Sequence, residues 1–63
     1  MNIPTRDEAR ELLDECNSQI LKCERGMEEA AKFGLKDSLF ALLEHRIELA
    51  GLKGKLEYML TIF

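Results

Sequence analysis

The sequence predicts an all-α protein, an antiparallel hairpin of two long helices, and three observations lead to that prediction. Small and apolar residues recur at alternating steps of four and three through the first half of the chain, which places them on one side of a helix. Their positions are Ala9, Leu13, Cys16, Ile20, Cys23, Met27 and Ala30. A second apolar run follows a glycine at position 34. The one proline is Pro4, so both runs are free to be helical, and 63 residues suffice for one small domain.

The first helix is expected at about residues 6–33. Thr5 is a suitable N-cap, and Glu8 three residues later completes a capping box. Acidic residues in the first turns and Lys32 in the last turn match the polarity of the helix dipole. Gly34 then supplies a residue that adopts a positive φ at low cost, which favours a helix end just before it.

A short turn is expected at residues 34–37, followed by the second helix at about residues 38–60. Asp37 or Ser38 is able to cap this second helix. So short a connection makes neighbouring helices antiparallel, and the two helices are therefore expected to lie side by side.

The second helix carries two glycines near its middle, Gly51 and Gly54. Each costs about 1 kcal/mol relative to alanine inside a helix. Small residues at these positions would let helix backbones approach closely. The competing prediction is a break near Gly51–Gly54, after which residues 55–63 form a short third helix or a docking tail.

Two apolar stripes run along roughly opposite sides of the second helix. The first stripe comprises Leu39, Phe40, Leu43, Ile47, Ala50 and Gly54. The second stripe comprises Leu42, Leu49, Leu52, Leu56, Met59 and Phe63. One stripe is enough to pair with the first helix, and the other would expose more apolar surface than the few hundred Å² usual for a monomer. The second stripe is therefore the predicted interface with a second copy, in a twofold-symmetric homodimeric four-helix bundle.

The composition of the chain excludes several classes of function. The net charge is −3, whereas nucleic-acid-binding domains are normally strongly basic. No apolar run approaches the roughly 18 residues of a membrane span, and the first residues lack the basic-then-apolar pattern of a secretory signal. A cytoplasmic location without membrane association is the expectation.

Cys16 and Cys23 are seven residues apart on the predicted first helix. Two helical turns separate their Cα atoms by about 10.5 Å, which exceeds the roughly 7 Å that a disulfide allows. We interpret them as reduced, small core residues. The alternative is a disulfide or a metal site shared across a dimer, although this spacing does not suit a single tetrahedral zinc.

His45 is the one histidine and the one candidate for chemistry. Imidazole titrates near neutrality, so it is a competent phosphoryl acceptor or general base. The residue lies in line with the second stripe, and its neighbours lack the fuller motif of histidine kinases. A di-iron site would require Glu-x-x-His, but Leu42 stands three residues before His45. Neither catalytic residues, nor a metal site, nor a cofactor is predicted.

The cations Lys22, Arg25 and Lys32 gather near the predicted hairpin turn. In a dimer such a patch would be able to meet RNA or an acidic protein. Glu28 and Glu29 lie among these cations and weaken the positive field. A solvated face with ordinary helix ion pairs is therefore the interpretation, and nucleic acid is not the predicted partner.

Two resemblances to known families accompany these patterns. Residues 3–9 with Leu12 and Leu13 resemble the opening of some HD-domain phosphohydrolases, whose metal-binding His and His-Asp elements this sequence lacks. The length and the Gly34-Leu35 junction are similar to the short helical hairpins of the sporulation regulatory aspartyl-phosphate phosphatases. That resemblance implies a phosphatase-like signalling hairpin, but the Ser-Gln-Glu-Leu-Asp signature is absent, so no residue role is transferred.

The predicted function is that of a small, non-enzymatic interaction or regulatory protein that works as a self-associating helical hairpin. Its partners would be a second copy and another protein, with the leucines of the second stripe as helix-in-groove anchors. Two alternatives stay open. One is a phosphotransfer or phosphatase-like signalling hairpin that uses His45, and the other is an RNA-binding dimeric bundle that uses Lys22, Arg25 and Lys32.

Overall fold

The computed structural model describes residues 4–62, which form two helices and the turn between them. Helix α1 spans Arg6–Lys32 and helix α2 spans Lys36–Ile62, 27 residues each. They lie against each other in a rod of 44 × 17 × 17 Å, which matches two 27-residue helices of about 40 Å side by side. The predicted all-α helical hairpin is confirmed. Within residues 4–62, neither helix is long and apolar enough to cross a membrane.

The start of α1 is fixed by the predicted cap. The hydroxyl oxygen of Thr5 accepts a hydrogen bond from the backbone N–H of Glu8 at 3.2 Å, and the Thr5 hydroxyl lies 3.0 Å from the Glu8 carboxylate, to which it donates. Thr5 has extended backbone angles, φ −69° and ψ 168°, as an N-cap requires. The cap satisfies one of the free N–H groups of the first turn, so the helix begins at Arg6.

The end of α1 is a left-handed glycine turn. Gly34 has φ 70°, and its N–H donates to the carbonyl of Ala31 at 3.3 Å. The N–H of Leu35 donates to the carbonyl of Ala30 at 2.8 Å. These two bonds are the pair that defines a Schellman motif, and they satisfy carbonyls that the end of the helix leaves free. The chain therefore reverses within residues 33–35.

Helix α2 begins earlier than the sequence predicts. Its first turn already includes Asp37 and Ser38, because the Leu35 carbonyl accepts from the Leu39 N–H at 2.9 Å. The expectation that Asp37 or Ser38 caps this helix is therefore wrong, since the Schellman turn completes the reversal in fewer residues. Asp37 still places a negative charge in the first turn, where the helix dipole favours it.

Helix α2 continues without interruption through Gly51 and Gly54 to Ile62. The competing prediction of a break at Gly51–Gly54, with a short third helix after it, is therefore wrong. The intrinsic cost of two glycines, about 2 kcal/mol in total, is small beside the packing of the flanking turns on α1.

The two helices contribute side chains of different size to the interior of the hairpin. Helix α1 contributes small residues at every seventh position, and their exposed fractions are only 0–4%. These residues are Ala9, Cys16, Cys23 and Ala30. Helix α2 contributes Leu56, 3% exposed, which packs with Ala9 and Cys16 and is flanked by four partly buried apolar side chains. Small side chains on one helix let the second helix approach closely enough for its leucines to fill the space.

The face of α2 that lies against α1 includes two cations. Its members share a spacing of three and four residues and are buried or half-buried. They are Leu39, Leu42, Arg46, Leu49, Lys53, Leu56 and Leu60. Arg46 forms an ion pair with Glu24 of α1 at 3.6 Å. The aliphatic stems of Arg46 and Lys53 cover the hairpin seam while their charged ends stay in water.

Candidate functional site

A continuous apolar face of α2 is turned away from α1 and stays exposed. We call it the outer face. Its members are Phe40, Leu43, Ile47, Ala50, Gly51, Gly54, Tyr58 and Ile62. The five large side chains among them are between 37% and 68% exposed. Because these positions recur at three- and four-residue steps, they form one stripe about 33 Å long from Phe40 to Ile62.

The middle of the outer face is flat and made of small residues. Beyond the backbone of its own helical turns, an ideal Cβ placed on Gly51 or on Gly54 meets no atom of the hairpin within 4 Å. Packing within one chain therefore gives no reason for either glycine. Ala50 beside them is exposed as well, so the centre of the stripe is a shallow site between larger side chains.

Charged side chains border this face. Glu48 and Lys55 are both exposed and lie two helical turns apart on the same flank of the stripe. Glu44 is exposed on that flank as well. The N-terminal half of this flank is therefore acidic, and Lys55 makes the C-terminal half basic.

The six predicted interface residues are placed differently by the structure. Leu56 is buried inside the hairpin, and Leu42, Leu49 and Met59 are partly buried; Leu49 and Met59 pack on the cluster around Leu56. Leu52 is 46% exposed, and Phe63 lies outside the described residues.

The assignment of Leu56 to a surface between copies is therefore corrected, because this side chain fills the space that Ala9 and Cys16 leave in α1. The exposed stripe is mainly the first of the two stripes. The sequence signal that would have identified it is the pair Arg46 and Lys53. Both lie in heptad register with Leu42, Leu49 and Leu56. The face of α2 that packs on α1 can therefore be recognised from the sequence once long cations are counted as members of it.

His45 is exposed at the side of the hairpin. It lines an open groove of about 440 Å³ together with Leu12, Glu15, Cys16, Gln19, Leu49 and Leu52. The imidazole is reachable from solvent, as phosphoryl chemistry requires. Among the described residues no three or more His, Cys, Asp or Glu side chains come together as a metal site would need.

Cys16 and Cys23 are free thiols, each 4% exposed, on the side of α1 that packs against α2. A disulfide or metal site shared with a second copy would require these sulfurs at the surface. Their burial disfavours that alternative in the folded hairpin, and the two cysteines serve as small core residues.

The cations Lys22, Arg25 and Lys32 are all exposed on α1. Glu28 and Glu29 are exposed among them, so the surface alternates in sign rather than forming a basic patch. A phosphate backbone would meet both attraction and repulsion along this face.

Comparisons of the chain with known protein families, with curated proteins and with solved structures find no match. The chain's own surface is therefore the basis for inferring its function. Two surface features are candidates for recognition or chemistry: the outer face of α2 and the exposed imidazole of His45. The outer face is much the larger of the two.

Proposed function

We propose that this chain is a small, non-enzymatic interaction protein that works as a self-associated helical hairpin, and that the outer face of α2 joins two copies. The observation that carries the proposal is the exposure of five large apolar side chains in one stripe. Monomers rarely leave a contiguous apolar patch of more than a few hundred Å² uncovered. A cytoplasmic location belongs to the same proposal, and the two free thiols suit a reducing compartment.

The area available agrees with a dimer. Phe40 and Tyr58 each bury about 150–250 Å² when fully covered, and both are more than half exposed. With the three aliphatic side chains, the exposed apolar area is on the order of 500 Å² per chain. The flanking charged stems and the glycine backbone bring the total near the roughly 800 Å² per partner of a standard interface. A second copy of α2 has the same length as the stripe and covers most of it.

The test is the solution mass of three proteins, measured by sedimentation equilibrium over concentrations from about 1 μM to about 1 mM. The wild-type chain is expected to approach twice the mass of one chain. Ile47→Glu puts a charge in the middle of the outer face and is expected to give the mass of one chain. The matched control is Leu21→Glu, because Leu21 on α1 is 59% exposed and Ile47 is 61% exposed.

The comparison is decisive because both variants replace an equally exposed apolar residue by the same acid. A wild-type chain that stays monomeric at the highest concentration would overturn the proposal. Equal effects of Ile47→Glu and Leu21→Glu would also overturn it, because they would mean that general surface hydrophobicity, rather than the outer face, drives association. Circular dichroism checks that both variants keep their helix content.

A second candidate function rests on the exposure of His45, which the phosphotransfer alternative requires. We propose His45 as a phosphoacceptor in that case. The test is phosphorylation by acetyl phosphate followed by phosphorus NMR, with free N-acetylhistidine as the reference and His45→Gln as the control. A phosphohistidine signal that forms faster than the reference and is lost in His45→Gln supports the role. A rate equal to that of the free imidazole derivative removes it.

A further inference from the structure

From the sizes and charges along the outer face, we infer that two copies of the chain pair their α2 helices antiparallel and cross at Gly51–Gly54. The inference rests on the proposed function and adds the direction and register of the interface. The second copy is the occupant because the face is complementary to itself: when one helix is reversed, small residues meet small residues and Glu48 meets Lys55.

Side-chain sizes are arranged evenly about one point of the outer face. The midpoint between Gly51 and Gly54 divides the outer face into two halves, with Ile47 on one side and Tyr58 on the other, at equal distances of about 8 Å along the axis. When a second α2 is reversed about this midpoint, Gly51 faces Gly54 of the second copy. Ile47 then faces Tyr58 of the second copy.

The glycines give this arrangement its close approach. Both positions are open in the single hairpin, with no atom outside their own helical turns within 4 Å of an added Cβ, so they are free to receive another helix. Backbones that meet at glycine lie closer than the usual 8–10 Å or so between helix axes. The larger residues on either side then interdigitate instead of being held apart.

The charge pattern is a second feature and is independent of size. Glu48 and Lys55 lie on the same flank of the stripe and are exposed. In an antiparallel pair, residues on the same flank of the two helices meet. Glu48 of each copy is then about 3 Å along the axis from Lys55 of the other, which is within reach of two long side chains. Twofold symmetry produces this attractive pair twice.

A parallel pair would bring different charges together. In parallel helices one flank meets the opposite flank of the partner. Lys55 would then lie about 3 Å along the axis from the exposed Glu57 of the second copy, and Glu48 would lie as near to the half-buried Arg46. Each large residue would also stand beside its own copy, Tyr58 beside Tyr58 and Ile47 beside Ile47. Antiparallel pairing is therefore the direction in which Glu48 and Lys55 attract each other, so exchanging these two charges distinguishes the two directions.

The first experiment exchanges the charges and measures the dissociation constant by sedimentation. Glu48→Lys alone and Lys55→Glu alone each turn two attractive contacts into two repulsive ones, so each is expected to raise the dissociation constant about tenfold. The double variant Glu48→Lys/Lys55→Glu is expected to return to within about threefold of the wild type. An equimolar mixture of the two single variants is expected to associate as the wild type does, because both pairs become attractive in the mixed dimer. Glu15→Lys on α1 is the control for net charge.

The second experiment locates neighbours by disulfide trapping in a Cys16→Ala/Cys23→Ala chain. Antiparallel pairing places residue 47 beside residue 58 of the other copy, and separates the two copies of residue 47 by about 16 Å along the axis. An oxidised mixture of Ile47→Cys and Tyr58→Cys is therefore expected to form the mixed disulfide rapidly. Parallel pairing would instead cross-link Ile47→Cys to itself, since a disulfide needs Cα atoms within about 7 Å.

The outcomes separate the two proposals. A wild-type chain that is monomeric removes both the proposed function and the register. A wild-type dimer in which the charge exchange gives no rescue, or in which Ile47→Cys cross-links to itself, overturns the antiparallel register and leaves self-association standing. Rescue in the mixture together with the mixed disulfide supports the register.

Discussion

The side chain of Leu42 on α2 occupies the space beside Gly26 on α1: an ideal Cβ on residue 26 would stand 2.9 Å from the Leu42 Cδ1. Cβ atoms are essentially never found so close to another heavy atom. The two helices are therefore in close contact at this level because residue 26 has no side chain. Gly26 serves packing within the hairpin, whereas Gly51 and Gly54 have no neighbour there.

The contact predicts the effect of adding side-chain atoms at position 26. At an ordinary helical site, replacing glycine by alanine raises the free energy of unfolding by roughly 1 kcal/mol. Gly26→Ala is expected to give a smaller gain, because Leu42 must shift its terminal methyl. Gly26→Val is expected to lower it by about 1–3 kcal/mol through overpacking. Urea unfolding followed by circular dichroism measures both.

A double-mutant cycle checks the cause. Leu42→Val removes the obstructing Cδ1 methyl. In that background Gly26→Ala should therefore be more stabilising than it is in the wild type. The same increment in both backgrounds would show that Leu42 does not restrict position 26.

The open glycines of the outer face predict opposite effects on stability and on association. Gly51→Ala and Gly54→Ala are each expected to raise the unfolding free energy by about 1 kcal/mol when measured in the monomeric Ile47→Glu background. With Ile47 intact, the same alanines are expected to weaken self-association, because their Cβ atoms hold the crossing helices apart. Urea unfolding and sedimentation measure the two quantities separately.

The comparison with Gly26→Ala supplies the control for this prediction. Gly26 lies in the seam between α1 and α2, so its substitution should leave the dissociation constant unchanged. A Gly54→Ala chain that associates as tightly as the wild type would contradict a close crossing at that residue.

The ends of the first helix are predictable from the sequence because local chemistry determines them. Thr5 caps through the N–H three residues later, and Gly34 takes the positive φ that a Schellman turn needs. The start of α2 is less predictable. Asp37 and Ser38 are good caps by residue type, but the turn formed by Gly34 ends before either of them is reached.

The side of α2 that faces α1 is not predictable from apolar residues alone. Both sides of the helix carry leucines, and the buried side also contains Arg46 and Lys53. The choice follows from tertiary packing: Leu56 fits the space beside Ala9, and Arg46 reaches Glu24 across the seam at 3.6 Å. The outer face is equally unpredictable from apolar residues alone, because it is the side of α2 that α1 leaves uncovered.

Leu56 is expected to be the most sensitive residue of the hairpin to truncation. It is 3% exposed, so Leu56→Ala removes buried methyl groups and should cost about 2–5 kcal/mol. A domain of this size rarely has more than about 3–5 kcal/mol of stability, so the variant should lose most of its helical circular dichroism. Leu56→Met keeps the volume and should cost less than about 1.5 kcal/mol.

The control for this prediction is Leu21→Ala, since Leu21 is exposed on α1 outside both the seam and the outer face. It is expected to change stability by no more than about 0.5 kcal/mol. Comparable losses for the two leucines would contradict the central place of Leu56 in the core.

The two cysteines are expected to be protected by folding and to tolerate only small replacements. Cys16 and Cys23 are each 4% exposed and occupy the same heptad positions as Ala9 and Ala30. If opening requires about 3 kcal/mol, alkylation of the native thiols should be about 100-fold slower than in urea. Cys16→Ala should therefore keep the fold with a modest loss of stability. Cys16→Leu should cost about 1–3 kcal/mol, because a larger side chain pushes α2 away from α1 at the level of Leu56.

Timed alkylation with mass spectrometry measures the protection, and urea unfolding measures the two variants. Cys23→Ala and Cys23→Leu repeat the comparison one heptad further along and should give the same order of stability. Fast labelling of either thiol in the native protein would contradict its burial against α2. Equal stability of the alanine and leucine variants would mean that the seam has room for a large residue on α1, so that close helix approach is not what holds the hairpin together.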